Sequence, residues 1–307
     1  MFLPGSKNGE VMCRFAQQIL TDVSAAFHHS FSLLQDKIGE EALKTHEEAL
    51  TDETVENCLA CRAVFLGDST CEGADELYDA LDLPLRIRSF AVPAVLCGRH
   101  EAPVSLYLGK VLSIDPETLR KALHSAFRFA QEEERHIQHV APAGAAKSEW
   151  DAAVRVQEVS FPALSVSALS APVAMEDIIL SPEKMGLLLC PPYAGSILQS
   201  AANALCNHPM LIHDISFDEN IGLYSPYIPS EITEPLNPVT AALCVARLLR
   251  YSLGLSTEAG CVEAAVNNVL SAWHAPGAAP VDPGELMDLI CEQVNVAGEL
   301  MGKPLPS

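Results

Sequence analysis

The sequence predicts an α/β protein of layered helices and strands, divided into two domains. Three observations lead there. Short aliphatic runs, such as AVFLG at 63–67 and LLLC at 187–190, alternate with stretches whose apolar residues recur at helical spacing, the order that lays helices on the faces of a sheet. A length of 307 residues with 49% hydrophobic content can bury a full core and divides most naturally in two. Residues 116–133 carry a strong amphipathic pattern with proline in the first turn, where a missing N–H costs nothing.

Taken in order, residues 11–23 have helical periodicity. Residues 52–61 form a short helix with Thr51 or Asp52 as N-cap, leading into the buried strand at 63–67. The helix at 116–133 is followed by a strand at 137–141 and a small-residue loop, APAGAA, at 141–146. The strand at 187–190 is stopped by Pro191 and Pro192. A long apolar helix spans 237–255, and two more follow at 258–273 and 283–301. Residues 185–212 contain no Asp, Glu, Lys or Arg, in a chain with 40 acids. Within it, PPYAGSILQSAAN at 191–203 reads first as a buried core helix.

A net charge of −21 and a pI near 4.7 exclude a phosphate backbone or an anionic membrane as the natural partner, because either would meet a repulsive field. No basic segment followed by an apolar run marks the N-terminal residues, and no apolar run approaches a membrane span. The expectation is a soluble cytoplasmic protein. The ten cysteines then read as reduced thiols, Cys190, Cys206, Cys244 and Cys261 in apolar contexts. Cys58 and Cys61 have zinc-like spacing without a second half-site, so they read as helix residues. His136 and His139 could ligate a metal, but the acids before them suggest the solvated end of a helix. His213, Asp214, Asp218 and Glu219, in HDISFDEN, could form a new acid–base or metal site; a solvated loop is the expectation.

The stretch NPVTAALCVARLLRYSLGL at 237–255 closely resembles an Asn-Pro helix of the isopropylmalate/isocitrate (β-decarboxylating) dehydrogenase family, which ends in Leu-Arg-Tyr-Ser-Leu-Gly-Leu. Other pieces follow in family order: LPGSKNGEVM at 3–12, CRAVFLGDS at 61–69, LDLPLRIRS at 81–89, GRHEAPVSLYLG at 98–109 and IGLYSP at 221–226. The resemblance implies a shortened two-domain fold, with a discontinuous domain of residues 1–90 and 221–307 and a central dimerisation domain of residues 91–220. It also implies a homodimer and, in active members, oxidation and decarboxylation of a 2-hydroxy acid with NAD and a divalent metal.

Position by position, this chain departs from those requirements. The family's metal acids, Asp-x-x-x-Asp, align with Ser196 and Ser200, and a third acid aligns with Pro172; neutral hydroxyls and a proline do not compete with the hydration shell of Mg²⁺. The family's proton-transfer lysine aligns with Pro142, and Lys147 lies a few residues on. The cofactor loop is compressed to YIPSEITEPLNP at 227–238, without its histidine or glycines. The resemblance retains Tyr107, six residues after Glu101, as catalytic candidates. Arg88 and Arg99 stand at or beside the positions of substrate arginines. Two guanidiniums beside a phenol can hold a carboxylate and protonate a neighbouring oxygen; the alternative is a packed strand tyrosine and arginines in ion pairs.

Three readings follow: a repurposed enzyme performing a non-redox step on a small organic metabolite, a non-catalytic regulatory or scaffolding homologue, and an active NAD-dependent dehydrogenase. The first is the expectation. It carries no cofactor, no metal, no nucleic acid and no membrane, with a small-molecule substrate and a homodimer.

Overall fold

The computed structural model describes residues 1–90, 106–205, 211–228, 236–273 and 282–301. In chain order the first segment contains β1 (Phe2–Leu3), α1 (Lys7–Phe27), α2 (Glu40–His46), α3 (Asp52–Leu59), β2 (Ala63–Leu66) and α4 (Ala74–Ala80). The middle contains β3 (Leu85–Ser89), β4 (Tyr107–Val111), α5 (Pro116–Glu132), β5 (Ile137–Val140), α6 (Ala146–Ser160), β6 (Val166–Leu169), α7 (Ala171–Leu180), β7 (Leu187–Cys190), α8 (Pro192–Leu205) and β8 (His213–Phe217). The last segment contains β9 (Gly222–Pro226), α9 (Pro238–Tyr251), α10 (Ser256–Trp273) and α11 (Pro283–Met301). Two compact units result, residues 1–81 with 219–307 and residues 82–218. The second unit begins at Asp82 and not at residue 91, because β3 hydrogen-bonds to β4 and β8. Among the described residues, no helix is long and apolar enough to cross a membrane.

In the first unit, β1, β2 and β9 are parallel, with Phe2 opposite Phe65 and Val64 opposite Leu223. The helix read from residues 11–23 extends to Lys7–Phe27, because Ser6 caps it by accepting from the Gly9 N–H and His28 closes it in the left-handed region. Gly9 and Gly67 touch where the end of β2 crosses the first turn of α1. A β-carbon on Gly9 would lie 1.8 Å from the Pro4 carbonyl oxygen, and one on Gly67 2.4 Å from that of Gly9. The long apolar helix is α9, capped by the Asn237 side chain at the Val239 N–H. It is buried almost throughout and packs on β9, α1, α10 and α11. Its two charged residues, Arg247 and Arg250, both pair with Glu263 of α10.

The second unit orders its strands β8-β3-β4-β7-β5-β6. β3 is antiparallel to both neighbours, while β4, β7, β5 and β6 are parallel. Helices cover both faces. On one face α5 and α6 pack together, with Phe129 against Tyr107 and Trp150 against His139. On the other, α7 packs on α8, and α8 lies on β4, where Gly195 leaves room for the stem of Lys110.

Three expectations of the sequence are corrected here. Only the end of HDISFDEN is a solvated loop: Asp218 is half-buried and Glu219 exposed beyond the strand, whereas His213 and Asp214 are fully buried in β8, because the strand's alternate residues Ile215 and Phe217 anchor it in the core. His139 is not at a solvated helix end. It is buried in β5, where its Nδ1 accepts from the Trp150 indole N–H at 3.1 Å; burial lowers its pKa, against the opposite pull of Asp151. The helix expected at 191–203 is α8, but it is not buried all round: its outer face is open to solvent, with Tyr193, Ile197 and Leu205 exposed. Burial pushes the Cys58 thiol up to about 12, which makes it a core residue and a poor zinc thiolate.

Candidate functional site

The site is built on β3, β4 and β8, whose side chains alternate between the two faces. Tyr107 is opposite Ser89, and Ser89 is opposite His213, so these three share the α5 face. Arg88 is opposite Leu108 and Asp214, so it points to the α8 face. The structure therefore does not bring Arg88 beside Tyr107. The one-residue offset in the strand register puts the sheet between them. Arg99 and Glu101 lie outside the described residues.

Tyr107 is only 2% exposed. Its ring meets Phe129 edge-on at 5.0 Å between centroids, and its hydroxyl donates to Glu133 Oε2 at 3.2 Å. The guanidinium beside the phenol belongs to Arg135, whose central carbon lies 5.9 Å from the ring centroid, within cation–π range. The end of α5 places it there. Glu133 is the C-cap, Glu134 takes a left-handed φ of 52°, and the Arg135 N–H donates to Ala130 O at 2.8 Å while the Glu134 N–H donates to Gln131 O at 3.3 Å. This is a Schellman closure with glutamate where glycine is favoured. It turns the chain back so that Arg135 returns over the helix end. Glu134→Gly is expected to stabilise the protein by about 1 kcal/mol, read as a higher urea midpoint at unchanged slope.

On the α8 face, Arg88 makes a two-pronged contact with Asp214: Nε to Oδ1 at 2.7 Å and Nη2 to Oδ2 at 2.6 Å. Burial alone would raise the Asp214 pKa, but the Arg88 charge and hydrogen bonds outweigh it and hold the carboxyl below its ordinary value. Arg86 stands two residues earlier on the same face, opposite Lys110. The sequence reading passed over Arg86 although the alternation in LRIRS already places both arginines on one side of a strand.

Ser196 and Ser200 are on the exposed side of α8. Their hydroxyls donate to carbonyls one turn back, Ser196 to Pro192 O at 3.1 Å and Ser200 to Ser196 O at 2.9 Å. Pro172 opens α7 and offers no side-chain donor atom. This donor set does not fit a divalent cation, which takes charged oxygens. Among the described residues no cluster of three or more His, Cys, Asp or Glu could hold a metal ion. Pro142 lies in the loop before α6, and Lys147 sits on the solvent side of α6, paired with Asp151. Most of the compressed loop, residues 229–235, lies outside the described residues.

No protein-family model matches the chain. A 3-isopropylmalate dehydrogenase of Oceanobacillus iheyensis is 22% identical over 348 residues, covering 96% of this chain and 95% of that one. Isocitrate dehydrogenase from Methylococcus capsulatus superposes with a TM-score of 0.77 at 16% identity, over 96% of this chain and 98% of that one. A β-decarboxylating dehydrogenase from Thermococcus kodakarensis also gives 0.77 at 16% identity, over 99% and 98%. The fold is therefore the mixed α/β fold of the isocitrate and β-decarboxylating dehydrogenases, shortened in length. The chain is similar, at low identity and over nearly its whole length, to 3-isopropylmalate dehydrogenases, and it has the fold of the isocitrate and β-decarboxylating dehydrogenases.

Proposed function

We propose that this chain has left the redox chemistry of its family and performs a non-redox step, such as isomerisation, cyclisation, dehydration or decarboxylation, on a small organic metabolite. The observation that carries this reading is α8, where Ser196 and Ser200 replace the family's carboxylates and donate to their own helix. Pro142 in place of the lysine, and a cofactor loop without glycines, point the same way. Tyr107 is the proton donor in this reading, with Glu133 as the acceptor that orients its hydroxyl. Arg88 is a positioning residue of the same unit, and Arg99 and Glu101 are the remaining candidates for substrate contact and catalysis. The protein acts as a homodimer through α7 and α8. Their outward residues Val173, Ile179, Leu180, Tyr193 and Ile197 are exposed and apolar, and α8 has no charge to oppose a second acidic copy.

The test is thermal stabilisation by NAD, Mg²⁺ and 3-isopropylmalate, alone and together. No rise in midpoint is expected; a concentration-dependent rise with all three would make the chain a working dehydrogenase and sink the proposal. A second reading, a non-catalytic regulatory or scaffolding homologue, is favoured by the burial of Tyr107 and by the Arg88–Asp214 pairing. Copurification with a full-length relative, together with an unchanged phenotype for Tyr107→Phe, would select it.

A further inference from the structure

We draw no further inference here: the strongest candidate, the exposed apolar face of α7 and α8 in the second unit, belongs to the dimer contact already proposed, and nothing in the structure shows what else would cover it.

Discussion

Replacing Asp214 with alanine is expected to destabilise the second unit by about 3–5 kcal/mol, the cost of leaving a buried guanidinium without its counter-charge. Arg88 and Asp214 are 8% and 0% exposed, so water cannot take the place of the lost carboxylate. Urea denaturation of the variant reads the loss directly. Arg88→Met combined with Asp214→Leu removes both charges and should recover most of it, since a buried pair can be exchanged for apolar packing at little net change. A cost below about 1 kcal/mol for Asp214→Ala would place the pair at the level of a surface ion pair and contradict the burial described.

The same pair fixes a dependence on pH. The Asp214 carboxyl titrates below its ordinary range in the folded chain, so the folded state binds its proton less readily than the unfolded state does. The stabilisation is therefore fully present above the unfolded value, about 4, and is lost as pH falls through the depressed folded value. Acid unfolding of the wild type should include this component. Asp214→Asn should flatten the stability profile in that acid range while lowering stability at neutral pH.

Gly9→Ala is expected to lose more than the roughly 1–3 kcal/mol typical of overpacking and to give little folded protein. The added carbon would meet Pro4 O at 1.8 Å and the carbonyl carbon of the same residue at 2.8 Å. Both are backbone atoms, held by the pairing of β1 with β2, and neither can swing aside as a side chain would. Gly260→Ala is the control: in α10 an added carbon meets nothing within 4 Å, and the change should stabilise by up to about 1 kcal/mol. Thermal midpoints of the two variants should move in opposite directions. A Gly9→Ala protein as stable as wild type would mean that the crossing of α1 and β2 is not as close as described.

The α/β class, the major helices and several strands are determined by the sequence alone, because periodicity and caps act within one turn or one strand. Thr51, Asp115 and Asn237 cap α3, α5 and α9 through their side chains, and each is a short-range preference visible in the chain. The family resemblance was legible for a related reason: most of NPVTAALCVARLLRYSLGL is one contiguous helix, Pro238–Tyr251, buried almost throughout, whose packing needs leave a continuous signature. The replacement of carboxylates by Ser196 and Ser200 also needed only the letters in order.

Only the tertiary structure decided which polar groups meet. HDISFDEN looked solvated since its acids dominate a local view, and it is the pairing of β8 with β3 that buries Asp214 on Arg88. Arg88 was matched to Tyr107 from its spacing to a motif, whereas cross-strand register puts the two on opposite faces of a sheet, where a one-residue step reverses a side chain. Glu133 and Arg135 read as the charged tail of a helix until the left-handed turn at Glu134 folds them onto Tyr107. Local sequence sets what each segment prefers to be. Which side chains face one another depends on strand order and register, which are set by contacts between residues far apart in the chain.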